Sequence, residues 1–305
     1  MTDFQPLKER LQSEGFAVRE GELLSAHSTF QIGGAAALYL RPTTVQAVAR
    51  AIALCKEAGV RYYLLGNGSN ILFSDAGFTG AVLDLCGLNE ITLSEDAAQD
   101  GVITAAAGAS LARICKLAQG AALSGLEFAY GIPGTLGGAV YMNAGAYGGE
   151  MKDVVQSVTA LCADGTVREI PLAQLGFAYR KSVFEKNGAC ILSATLRLAQ
   201  GNGAQIKEKM DGFMAARREK QPVELPSAGS TFKRPEGAFA AALIDQCGLR
   251  GMQVGGAAIS QKHCGFVVNL GGASCADVLA LCEQVAAIVK EKTGYTLERE
   301  IRVVE

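Results

Sequence analysis

The chain is poor in the residues that carry most unaided enzyme chemistry. It has 305 residues but only 2 His and no Trp. His27 and His263 cannot build a histidine-rich zinc site, and the closest two of the 9 Cys, Cys275 and Cys282, stand seven apart, so there is no CxxC pair. The patterns GxSxG, HExxH and GxxxxGK[ST] are absent too. Hard chemistry is therefore expected from a bound group. Nor is there an excess of one charge: 28 Lys+Arg against 30 Asp+Glu leave −2, with no basic surplus to attract nucleic acid. No uncharged apolar run of about 18 residues occurs, and MTDFQPLKERLQSEG has no apolar signal segment. A cytoplasmic protein is expected, with no membrane association and no obligatory protein partner evident.

With 7 Pro, 49% hydrophobic residues and no three-residue glycine period, disorder and collagen are excluded. The cysteines are odd in number, dispersed and mostly inside apolar runs, which reads as reduced, buried thiols. What is abundant is glycine, 37 residues, or about 12% of the chain against roughly 7% on average.

Periodicity predicts a helix after Thr43, with Thr43 and Gln46 as a capping box, Val45, Val48 and Ile52 on one face and Gly59 beyond its end. Ser110 caps a short helix to about Gln119, and a helix over 204–219 carries a stripe of Ile206, Met210, Phe213 and Met214. A long helix over 274–292 opens with a Ser274/Asp277 box and ends at Gly294. Strands are read at 62–66, 80–85, 89–93, 101–107 and 189–199. A hairpin over 158–170 turns at Asp164-Gly165, read as the two φ > 0 positions. In the last element Tyr295, Leu297, Ile301 and Val303 alternate with Glu298, Glu300 and Arg302, predicting one continuous strand. Mixed elements without strict β-α alternation predict an α+β fold.

Two glycine clusters stand out. Gly66, Asn67, Gly68, Ser69 and Asn70 follow a strand, where backbone N–H groups can converge on a phosphate or form an ordinary turn. Ile71 rules out GxGxxG. Residues 131–149 hold seven glycines and read as a loop system, either approached closely by a ligand or tightly packed between domains.

STFQIGGAA (28–36), LLGNGSNILFSDAGFTGAVLDL (64–85), GIPGTLGGAVYMNAGAYGGE (131–150), FAYRKSVF (177–184), SAGSTFKRP (227–235), LIDQCGLRGMQVGGAAIS (243–260) and LEREIRVV (297–304) occur in order and cover nearly the whole chain. Together they resemble the UDP-N-acetylenolpyruvoylglucosamine reductases, flavoenzymes of peptidoglycan precursor synthesis. The resemblance implies non-covalent FAD, NADPH as co-substrate and a UDP-sugar substrate. It implies a two-subdomain FAD-binding region of the vanillyl-alcohol-oxidase (PCMH) type, over 1–85 and 86–201, and a C-terminal α+β substrate domain over 202–305 whose last strand returns to the active site.

By the same resemblance Gly66, Asn67, Gly68, Ser69 and Asn70 lie along the FAD pyrophosphate, and Gly131, Pro133, Gly134, Thr135, Gly138, Asn143 and Gly145 lie near the flavin. Arg180, Ser230 and Glu300 match the catalytic positions. Hydride reaching the β-carbon of an enolpyruvyl group leaves negative charge conjugated with a carboxylate, so a guanidinium suits Arg180 and a proton donor suits Ser230. Periodicity alone does not choose between Glu298 and Glu300. Lys220, Arg234, Arg250 and His263 are weaker matches for substrate contacts, where basic side chains suit a diphosphate. Gln31 and Ala35 replace a basic residue and a proline of the family's first motif. The short span from Arg180 to Ser230 resembles the second type, which lacks a tyrosine-bearing loop.

Overall fold

The computed structural model describes residues 3–94 and 101–305. Residues 1–2 and 95–100, which fall inside the first two expected spans, lie outside the described residues. Contacts group the chain into two units, one of 1–19, 39–67 and 81–216, the other of 20–38, 68–80 and 217–305.

In the first unit the helix Val45–Glu57 buries Val48, Ala51, Ile52, Leu54 and Cys55. Its cap is Thr44, not Thr43, because Thr44 is the last extended residue and its hydroxyl accepts the Ala47 N–H at 3.1 Å. Tyr62–Leu65 pairs in parallel with Phe78–Asp84 through Leu65↔Asp84, so the 66–67 loop leaves from the carboxyl end of this pair. An antiparallel sheet orders Val167–Pro171, Val155–Leu161, Cys190–Arg197, Val102–Ala106 and Ile91–Leu93. Its apolar face, with Ile103, Val158, Ala194 and Leu196, packs in one core with Leu111, Ile114, Leu136 and Val140.

Two expectations change here. At the hairpin turn only Gly165 has positive φ, 84°, while the Asp164 carboxylate accepts the Thr166 N–H at 2.9 Å and so works through its side chain. Within 131–149 a helix forms over Leu136–Tyr141 despite Gly137 and Gly138. Burial of Leu136, Ala139 and Val140 outweighs poor glycine propensity.

The second unit is built around the helix Cys275–Thr293, whose Val278, Leu281, Val285 and Val289 join Phe30, Ile244 and Val267 in one core. Its capping box is formed as expected, and Gly294 takes φ 78° after its end. The three-stranded sheet orders Gln253–Val254, Ala257–Ile259 and Val267–Asn269. The C-terminal element is shorter than predicted: only Arg302–Val304 forms a strand, parallel to Ile71–Phe73. Leu297, Ile301 and Val304 are its buried residues, and Tyr295 is exposed. Alternation fails because an isolated bridge at Phe232↔Arg299 interrupts it and gives 297–301 a different partner from 302–304.

The fold is α+β. All nine cysteines are free, and seven are buried. Among the described residues no helix is long and apolar enough to cross a membrane.

Candidate active site

The 66–70 loop follows the strand Tyr62–Leu65. Among the described residues, the N–H groups of Asn67, Gly68 and Ser69 donate to no protein backbone or side-chain acceptor. Gly68 takes φ 61°, and a Cβ there would stand 2.3 Å from the His27 carbonyl. A Cβ on Gly66 would stand 2.5 Å from Thr135 Oγ1, and Asn67 Nδ2 donates to the Pro133 carbonyl at 2.7 Å. Gly66 and Asn67 therefore meet Pro133 and Thr135 in the first unit. In the first unit the Asn67 amide, and in the second the Gly68 and Ser69 amides, are of the kind that can receive an anionic group such as the FAD diphosphate.

In the second unit Ser69, Asn70, Ser230 and Glu300 come together. The Glu300 N–H donates to the Thr231 carbonyl at 2.8 Å, one residue from Ser230. Asn70 grips the same segment on both sides of Ile301: its Nδ2 donates to the Glu300 carbonyl at 3.3 Å, and its own carbonyl accepts the Arg302 N–H at 3.0 Å. Gly229 has φ 73°, and a Cβ on it would lie 4.0 Å from the Ser69 carbonyl. Buried Thr231 anchors the turn, its N–H on the Gly265 carbonyl at 2.8 Å and its Oγ1 accepting the Val267 N–H at 2.9 Å. Ser230 itself is exposed.

The two glutamates that alternation left equal are separated. Glu298 pairs with Lys233 and points its side chain, 72% exposed, away into solvent. Glu300 is half-buried beside the Asn70 and Thr231 contacts. Asn70 thus has a role the sequence did not reveal, because its partner lies 230 residues away. Asp75 is a second such residue: its carboxylate accepts the Cys275 and Ala276 N–H groups at 2.7 and 3.1 Å, adding to the Ser274 cap.

Arg180 sits in the first unit on a tight turn closed by reciprocal Ala178 and Lys181 backbone hydrogen bonds, both 3.1 Å. Its φ of 56° is a left-handed conformation unusual for a long side chain. Asn143, fully buried, holds this turn: Nδ2 donates to the Ala178 carbonyl at 3.1 Å and to Glu150 Oε2 at 2.6 Å, while Oδ1 accepts the Lys152 N–H at 2.9 Å. Ser182 Oγ adds a bond to the Tyr141 carbonyl at 2.7 Å. The guanidinium lies over Tyr179, 5.0 Å from the ring centroid, with Nη2 at 3.5 Å from the Gly145 carbonyl. Asn143, Gly145 and Arg180 are thereby assembled. Of the remaining flavin candidates, Gly134 is held by N–H to the Ile132 carbonyl and by its own carbonyl to Leu111 N–H, Gly131 precedes it, and Gly138 lies in the helix Leu136–Tyr141.

The candidate substrate cations differ in availability. Arg250 forks onto Asp245 at 3.0 and 2.7 Å and also donates to the Gln261 carbonyl. Its Asp245 bond holds the carboxyl below the usual range. Burial, with nearby Arg250, holds the His263 imidazole below its ordinary pKa, and neutral Nδ1 accepts the Gly265 N–H at 3.1 Å. Arg234 stacks over Phe239 at 4.5 Å, and Lys220 ends the helix Gly203–Lys220 in an exposed position.

The family pattern described as "FAD binding domain" matches residues 36–171, and that described as "UDP-N-acetylenolpyruvoylglucosamine reductase, C-terminal domain" matches 221–304. The chain is 44% identical over 300 residues to a UDP-N-acetylenolpyruvoylglucosamine reductase of Lachnoclostridium phytofermentans, covering 98% of this chain and 96% of that one. It is 47% identical over 293 residues to the Agathobacter rectalis protein of the same name, with 93% of each covered. A crystal structure of UDP-N-acetylenolpyruvylglucosamine reductase from Thermus caldophilus superposes with TM-score 0.80 at 35% identity, over 95% of this chain and 100% of that one.

Proposed function

The chain belongs to the UDP-N-acetylenolpyruvoylglucosamine reductase family, and we propose that it reduces UDP-N-acetyl-3-O-(1-carboxyvinyl)-glucosamine to UDP-N-acetylmuramate with NADPH, in peptidoglycan precursor synthesis. Bound FAD supplies the hydride relay between the two substrates. In this reading the chain holds FAD non-covalently by the 66–70 amides and by the 131–145 segment, with 1–85 and 86–201 as the two FAD-binding subdomains and 202–305 as the substrate domain. Lys220, Arg234, Arg250 and His263 serve the UDP-sugar.

Arg180 faces the negative charge that develops on the substrate's carboxylate and α-carbon, stabilising it through charge-assisted hydrogen bonds that need no reorganisation. Ser230 Oγ gives the proton to the α-carbon, and the hydroxyl is restored from solvent. A serine is a weak acid, so this step is carried by proximity and by the polar neighbour Glu300. What supports the reading is the meeting of Ser69, Asn70, Ser230 and Glu300 within one unit. The test is NADPH oxidation with and without the enolpyruvyl substrate. Purified protein should be yellow, and oxidation should depend strictly on the substrate. Colourless protein that takes up no FAD, or equal oxidation without substrate, overturns the proposal.

A further inference from the structure

We propose that Tyr147 is a positioning residue for Arg180, acting through a stack on Phe213 that fixes the hairpin Gly145–Glu150; this rests on the role given to Arg180 above. Ala146 pairs with Gly149 and Gly145 with Glu150, so Tyr147 and Gly148 form the two-residue tip. Both are left-handed, φ 51° and 85°. Such a tip favours Asn-Gly or Gly-Gly, and an aromatic residue there is conformationally disfavoured.

The compensation is a built contact. Tyr147 lies parallel to Phe213, centroids 4.3 Å apart and planes within 3°, and its hydroxyl donates to the Phe213 carbonyl at 3.0 Å. Lys209 Nζ stands 5.9 Å from the Phe213 centroid and 3.8 Å from the carboxylate of buried Glu127. The other arm of the hairpin rests on Phe128, where a Cβ on Gly149 would come within 2.5 Å of the ring. The tip is thus fixed on two sides.

The root of the hairpin is where Arg180 is held. The Gly145 carbonyl is the one that faces Arg180 Nη2, and Glu150 shares the buried Asn143 amide with Ala178 of the Arg180 turn. A tip released from Phe213 leaves that carbonyl and that carboxylate free to shift, and the guanidinium with them.

The experiment resolves the two half-reactions of the FAD-loaded enzyme by stopped flow. Flavin reduction by NADPH should stay within about twofold in Tyr147→Ala, while reoxidation by the enolpyruvyl substrate slows about 20-fold, the scale expected of a small misplacement of a reacting group. Phe213→Ala should match it, and Tyr147→Phe, which keeps the stack, should recover to within about threefold. Tyr147→Gly removes the ring and relieves the left-handed strain, so it gives the same reading if Tyr147→Ala folds poorly. The double variant with Arg180→Ala should be no slower than Arg180→Ala alone. Additive losses, slowing of the NADPH step, or failure of Tyr147→Phe to recover overturn the positioning role. If Arg180→Ala by itself leaves reoxidation unchanged, it is the role of Arg180 that falls.

Discussion

Ser230 is an exposed hydroxyl one residue from a fully engaged threonine, so its removal should change chemistry and little else. Ser230→Ala is expected to leave flavin reduction by NADPH nearly intact and to slow turnover of the enolpyruvyl substrate about 10²–10⁴-fold, the usual worth of a positioned proton donor. Single-turnover absorbance of the flavin checks this, and unchanged turnover removes Ser230 from the mechanism. His263 gives a prediction of another kind. Its folded pKa is held below the unfolded value, so between the two the unfolded chain binds the extra proton and stability falls as pH drops below about 6.5. His263→Asn, which retains an acceptor for the Gly265 N–H, should flatten the dependence of urea unfolding free energy between pH 7 and 5.5. An equal slope in both proteins places the pH sensitivity elsewhere.

Among elements, the helix Cys275–Thr293 tests how far capping alone sets stability. Ser274 Oγ accepts the Asp277 N–H at 3.0 Å, and loss of that bond should cost about 1 kcal/mol in urea unfolding of Ser274→Ala. Asp75 continues to satisfy Cys275 and Ala276 in that variant, so Asp75→Ala on top of it should cost more than in the wild-type protein. Independent, additive losses would show that the two caps do not share the terminus. This helix was legible in the sequence down to its box and its Gly294, because a helix start is written in neighbouring residues. The Arg302–Val304 strand was not, because its length depends on Ile71–Phe73, some 230 residues earlier, and on where the Phe232↔Arg299 bridge interrupts it. The helix Leu136–Tyr141 escaped for the opposite reason: its residues speak against it, and only burial stabilises it. At the candidate site composition left each glycine loop open between a ligand contact and a packed turn, and the different surroundings of Glu298, paired with Lys233, and half-buried Glu300 could not be read from alternation because they depend on partners far along the chain.

At the scale of the molecule, a ligand that binds only the folded state stabilises that state by mass action. The cysteines report on each unit separately. Cys115 and Cys190 lie in the first and Cys282 in the second, all buried, and burial pushes each thiol up to about 12, so they react with a thiol reagent near neutral pH only when the chain opens. Labelling of Cys115 and Cys190 in the apoprotein, read by mass spectrometry, should be slowed by FAD at about a hundred times its Kd by roughly a hundredfold, or about 2.7 kcal/mol, if the 131–145 segment of the same unit holds the cofactor. Unchanged labelling of Cys115 and Cys190 would remove the 131–145 segment from the cofactor contacts, because a unit that binds no part of a ligand gains nothing from its presence.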